Sequence, residues 1–296
     1  MLAEAPARLV PAATGRPIRR SAIRLMLHTA AGRCGVTLAM FIAFAVLIGP
    51  SLWNLNPNDV DYTAKFLRPS ASHPFGTDGA GRDQFARVLA GGRASLGAAG
   101  LVLIAEVAIG VVVGLLAGLV GGRLERVLMR FVDIVQAIPS QVLALAIVGA
   151  LGPGLRNLII ALVAAGWATY ARVSRGVVRS GRSRPDLIAA QLFGVPRWRI
   201  AAGHVVPGVL TQVAVLATLG IGSVIVSIAG LSFLGLGVQP PASEWGAMLN
   251  ESRFDLVTAP WLLLGPAVAI LLCVTTVTLL GDTARDLVER TGRSLR

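Results

Sequence analysis

Arg179–Pro207, RSGRSRPDLIAAQLFGVPRWRIAAGHVVP, is a polar, arginine-rich, helix-forming island between stretches apolar enough to lie in lipid. Ser183, followed three residues later by Asp186, makes a capping-box-like helix start, and Pro185 falls in the first turn, where a missing N–H costs nothing. Gly194 is placed to end that helix. Pro196 then permits a second start through Trp198, Ile200 and Val205, which Pro207 stops. The island therefore reads as two short helices with a bend, held outside the membrane for docking.

Its surroundings decide the fold class. The 296-residue chain is 54% hydrophobic and only 14% charged, with a mean hydropathy of +0.72. That is too apolar for a soluble domain of this length. Lipid satisfies no backbone hydrogen bonds, so the apolar stretches must be helices or a closed barrel. Continuous runs of Leu, Val, Ile, Ala and Gly without strict alternation select helices. The reading is an all-α, polytopic membrane protein with six spans.

Residues 1–35 are basic and rich in Pro and Ala, a tail rather than a cleaved signal, whose apolar core would lie nearer the start. Residues 36–94 hold a first span, about Val36 to Trp53, and a polar connection. The core, 95–281, holds five more: Ser95–Val120, Phe131–Leu151, Leu155–Ala171, Gly208 to about Val238 with a bend at Gly230, Gly235 and Gly237, and Trp261–Leu280. A charged tail, 282–296, closes the chain. Six spans put both termini on one side. Twenty of the 27 basic residues fall in the N-terminal tail, at Arg123–Arg130, at Arg172–Arg199 and at Arg285–Arg296. The positive-inside rule places those four segments in the cytoplasm. It also accounts for the net charge of +12 through topology and anionic membrane lipid, leaving no case for nucleic acid.

Other chemistries lack their parts. Cys34 sits at the inner end of the first helix and Cys273 within the sixth, and His28, His73 and His204 fall in separate segments, so no metal-binding spacing is present. A Walker A loop needs a lysine before Ser or Thr, and the single lysine, Lys65, precedes Phe66. The chain is therefore read as no enzyme; ATP-driven work would need another polypeptide. A serine hydrolase at Ser232 would need a base, and His204 belongs to the opposite membrane face. A secondary transporter would show an internal repeat, which is not evident, and would have no use for a docking island.

Three stretches in order resemble the inner-membrane permease of binding-protein-dependent ABC importers, in the dipeptide, oligopeptide and nickel branch, specifically the permease with a short periplasmic insert. They are His73–Asp78 with Gly81, Arg82, Asp83, Arg87, Gly92, Arg93, Ser95 and Leu96; then Ala189, Ala190, Gly194 and Pro207; then Leu231–Gly237 with Gln239–Pro241, Glu244–Gly246, Pro260 and Trp261. The resemblance implies a type I importer permease fold whose island, 179–207, is a cytoplasmic coupling helix. It implies a second, related permease, two ATPase subunits or one fused double ATPase, and an extracytoplasmic substrate-binding protein. ATP and Mg2+ would sit on the ATPases, and this chain would bind no cofactor. Cargo would be short peptides, with nickel chelates or other small solutes as the alternative.

The coupling contact would use Asp186, Leu187, Ile188, Ala189, Ala190, Gln191, Phe193 and Gly194. Ile188 stands where the family pattern has Glu, and Asp186 cannot replace it, because residues two apart on a helix do not share a face. Arg82, Asp83, Glu244 and Trp245 are candidates for touching the binding protein; alternatively the first two brace the second span and Trp245 is an interfacial anchor. Two ionisable residues fall within spans. Asp133 matches the family pattern before Pro139 and has Arg130 or Arg126 as a structural partner. Glu106 has no local base and is the candidate for the translocation path, where it would meet the charged amine of a peptide.

Overall fold

The computed structural model describes residues 29–53, 55–181 and 185–293. The basic tail before Thr29 and the helix start at Ser183 lie outside the described residues, as do the side chains of Asp186, Ala190 and Gln191. Apart from a single Thr77–Asp83 bridge, the described secondary structure is helical: α1 (Ala30–Leu47), α2 (Gln84–Val120), α3 (Gly122–Ala137), α4 (Ser140–Leu151), α5 (Leu155–Gly181), α6 (Pro185–Leu192), α7 (Val206–Phe233), α8 (Trp245–Ser252) and α9 (Leu264–Arg293), with short turns between. Among the described residues, five helical stretches are long and apolar enough to cross a membrane, or six if the bent pair α3 and α4 is taken as one span.

Helix ends differ from the expected ones for local reasons. α1 starts at Ala30 because the Thr29 hydroxyl accepts from the Gly32 N–H, and it ends at Ile48 before the short turn Gly49–Leu52 that carries Pro50. α2 starts eleven residues before Ser95 because Asp83 caps it, accepting from the Ala86 N–H at 2.6 Å. The helix thus runs unbroken through residues 94 and 95. With 37 residues, α2 is about 55 Å long and outreaches a hydrocarbon core of about 30 Å. α5 and α9 likewise continue past Ala171 to Gly181 and past Asp282 to Arg293.

Two prolines act differently from the sequence reading. The residue before a proline avoids the helical region, and Ile138 is extended (φ −99°, ψ 130°), as is Pro139 (ψ 127°). The predicted Phe131–Leu151 span is consequently broken by 87°. α3, with Arg123, Glu125, Arg126, Arg130 and Asp133, is charged on one side, and α4 supplies the apolar half. Pro207, by contrast, stops nothing. Residues Ala201–Val205 adopt a π turn that leads directly into α7, so the missing proline N–H falls where the hydrogen-bond register has already shifted. Gly230 is inside α7, which continues to Phe233, and the positive-φ turn comes at Gly235, φ +85°.

α2 and α5 run parallel as the central pair. Gly110, Gly114 and Gly118 form a small-residue stripe that brings α5 against α2 at Trp167–Tyr170, Ala171–Ser174 and Val178. A buried core of Ala99, Val102, Val148, Leu158, Ile228 and Met248 joins α2, α4, α5, α7 and α8. α7 and α9 are antiparallel, as are α1 and α9, where Gly35 packs on Leu279 and Leu280. The first and last helices thus have their terminal ends on one face, with α6. The outward sides of the bundle expose Phe41, Leu101, Ile104, Val112, Leu116 and Leu271, as expected of a surface solvated by lipid.

Candidate functional site: two faces and a polar cavity

At the terminal face lies α6, with Leu187 turned toward Gly181 at the end of α5. Leu187 is 4% exposed and is its one buried side chain among those described. Ile188, Leu192, Phe193 and Trp198 are exposed, Leu192 and Phe193 by 83% and 88%. Gly194, at φ +80°, ends the helix as anticipated, since an L side chain rarely adopts that conformation. The exposed row is apolar and projects from a helix end, which suits a groove on another protein.

Beside α6, α3 and α5 are cross-tied by ion pairs. The Arg175 guanidinium meets Glu125 at 2.5 Å, and Arg172 meets Asp133 at 2.6 Å. The partner of Asp133 is therefore Arg172 on α5 rather than Arg130 or Arg126 on its own helix. α3 packs on α5, and that packing carries Asp133 across to it.

The opposite face is closed by a cap in which the predicted docking residues are turned inward. Glu244 is fully buried and caps α8, accepting from the Gly246 and Ala247 N–H groups, each at 3.0 Å, and from the Ser95 hydroxyl at 2.9 Å. Trp245 is 2% exposed and donates its ring N–H to the Val88 carbonyl. Asp83 holds the Trp53 ring N–H, the His73 imidazole and the α2 start. Arg82 pairs with Asp78 at 2.7 Å and Glu251 at 3.1 Å. All four make hydrogen bonds within the cap, and Trp245 is buried there rather than exposed as an interfacial anchor would be. Sequence reasoning did not see Asp78, Arg87 and Glu251 as one network, because Glu251 is contributed from far along the chain.

Between the faces, Glu106 lines a cavity of about 280 Å³ among α2, α4, α5 and α7. Gln141, Tyr170, Ser223 and Ser227 share it, and the Gln141 amide donates to Ser227 Oγ at 2.5 Å. Glu106 is 6% exposed. It lies over Gly166, where any Cβ would overlap its carboxylate. The sequence identified Glu106 but not its neighbours. Ser223 and Ser227, four apart on one helix face in an apolar run, were the available signal.

Residues 110–293 match the family described as binding-protein-dependent transport system inner membrane component. The chain is 40% identical over 258 residues to the nickel transport system permease protein NikC of Escherichia coli, covering 86% of this chain and 93% of that protein. It is 41% identical to the probable D,D-dipeptide transport system permease protein DdpC of Escherichia coli, over 86% of each chain. It is 38% identical to the glutathione transport system permease protein GsiD of Pectobacterium atrosepticum, again over 86% of each. With its bundle of apolar helices, the exposed apolar end of α6 and these matches, the chain belongs to the inner-membrane permease family of binding-protein-dependent ABC importers, in the dipeptide, oligopeptide and nickel branch.

Proposed function

We propose that this permease forms half of a translocation pathway for short peptides, working with a second, related permease by alternating access. Two ATPase subunits, or one fused double ATPase, lie beneath it and carry ATP and Mg2+. An extracytoplasmic binding protein delivers cargo above. The observation that carries this reading is α6: an apolar helix end, bare at Leu192 and Phe193, on the face where the terminal helices end. The arginines clustered on that face support a cytoplasmic assignment for it and for both termini. Closure of paired ATPases on ATP would push α6 as a lever, and α5 and α7, which flank it in the chain, would transmit the movement to the bundle. The dipeptide and glutathione permeases among its relatives favour peptides. Nickel is the second reading, favoured by the nickel permease that matches over 93% of its own length.

The test is purification from membranes with all associated chains, followed by reconstitution and uptake. Recovery of an ATPase and a second permease, with uptake of di- or tripeptides, is the expected result. Ile188→Asp, which places a charge on the exposed side of α6, should lower uptake about tenfold or more, equivalent to about 1.4 kcal/mol of coupling. A chain that purifies alone, or an Ile188→Asp complex with wild-type uptake and ATPase stimulation, would overturn the proposal.

A further inference from the structure

We infer that the cavity at Glu106 is a cation-accepting subsite on the translocation route, where the positive group of the cargo is held during passage. The inference rests on the importer reading above and assigns that route a chemistry.

Glu106 and Glu244 are both carboxylates within the protein, and they differ in what they bind. Glu244 is fully buried and receives three hydrogen bonds, as a structural carboxylate does. Glu106 is 6% exposed, yet it receives no hydrogen bond from a described residue. A carboxylate in an apolar bundle is costly unless a partner or water faces it. What it faces is a cavity of about 280 Å³, and none of the lining residues is Lys, Arg or His. The remaining polar side chains are Ser140, Gln141, Thr169, Tyr170, Ser223 and Ser227, all amides or hydroxyls, drawn from three helices. They are acceptors as well as donors, and so suit a positive guest. Gly166 supports the same conclusion: the carboxylate occupies the space a side chain would take and so stays at the cavity wall. An ammonium group and a hydrated divalent metal ion share the required chemistry.

The subsite is tested first without cargo. In the purified importer complex, with Cys34 and Cys273 replaced by Ser, Ser223→Cys introduces one thiol in the cavity. Cationic and anionic methanethiosulfonate reagents of similar size are compared, each rate divided by that for a free thiol. A single-sign cleft raises local counter-ion concentration by about tenfold or more, so the cationic reagent should react about tenfold faster. Glu106→Gln should abolish the preference and Glu106→Asp should retain it. Equal rates with Glu106 present, or a preference that survives Glu106→Gln, would overturn the subsite.

Uptake then distinguishes the two sources of positive charge. Reconstituted complex with its binding protein is given alanyl-alanine or nickel(II) chloride. Whichever wild type transports should fall about tenfold in Glu106→Gln, and Glu106→Asp should recover part of the loss. Uptake by Glu106→Gln within about twofold of wild type, in a complex that still co-purifies in the wild-type ratio, would overturn the subsite. Transport of neither probe by wild type would instead overturn the cargo reading above, since the thiol experiment needs no cargo.

Discussion

Arg87 and Glu251, 164 positions apart in the chain, meet in a two-pronged ion pair with N–O distances of 2.8 and 3.2 Å. Arg87 is 1% exposed and also holds Asp78 at 2.6 Å and the Ser243 hydroxyl at 3.3 Å. With Arg82 paired to the same two acids, two cations face two anions in this four-residue cluster. Breaking a buried pair from one side leaves its partner's charge uncompensated, at a cost of about 3–5 kcal/mol. Arg87→Met should therefore lower the thermal unfolding midpoint of the detergent-solubilised protein strongly. Arg87→Lys should rescue little, because an ammonium cannot span both carboxylate oxygens. Unfolding midpoints of the two variants against wild type check both statements.

The contact between α2 and α5 depends on the absence of side chains. A Cβ at Gly114 would lie 2.5 Å from the Ala171 carbonyl oxygen, and one at Gly118 would lie 2.6 Å from Val178 Cβ. Overpacking of this kind costs about 1–3 kcal/mol or more. Gly114→Leu should destabilise the protein and reduce the amount recovered folded from membranes. Gly97→Ala, on the same helix with nothing within 4 Å, should be neutral or slightly stabilising, since Ala is favoured over Gly in a helix. Size-exclusion profiles of the two variants side by side provide the comparison.

The ion pair between Arg172 and Asp133 is short but exposed, with the two side chains at 53% and 56%. Exposed pairs contribute about 0–1 kcal/mol and weaken with salt. Asp133→Asn should leave the unfolding midpoint nearly unchanged. Glu125→Gln should be felt more, because Glu125 and Arg175 are 20% and 27% exposed and lie 2.5 Å apart. Midpoints measured at low and high salt separate the two cases.

On the cap, Asp61 starts the short turn Tyr62–Ala64, accepting from the hydroxyl and the backbone N–H of Thr63. Those hydrogen bonds, the hydroxyl foremost, lower its pKa below the ordinary aspartate value. The folded protein therefore holds the carboxylate ionised more readily than the unfolded chain does. Its stabilising contribution is present above the unfolded pKa and is lost as pH falls through the folded one. Asp61→Asn should flatten the acid limb of the stability curve and change nothing attributable to titration near neutral pH. A pH series of unfolding midpoints for both proteins checks the sign.

Much of this protein is decided locally. Lipid forces backbone hydrogen bonds to close within a segment, so apolar runs of sufficient length imply helices, and Gly194 can be read as a helix end from the chain alone. The helical nature of the spans, the island between α5 and α7, and Glu106 as an ionisable group in an apolar run were all legible for that reason. What depended on tertiary structure were relationships between distant segments. Pro207 and Pro139 are not among them, since each acts through the residues just before it, a π turn at Ala201–Val205 and an extended Ile138. Glu244 and Trp245 read as surface residues because polarity along a chain carries no record of which groups will meet it from elsewhere. Ser95 and Val88 turn them inward across about 150 positions of sequence. The same holds at Glu106, where composition supplied the carboxylate, and only the convergence of α2, α4, α5 and α7 set it against a polar cavity with no cation of its own.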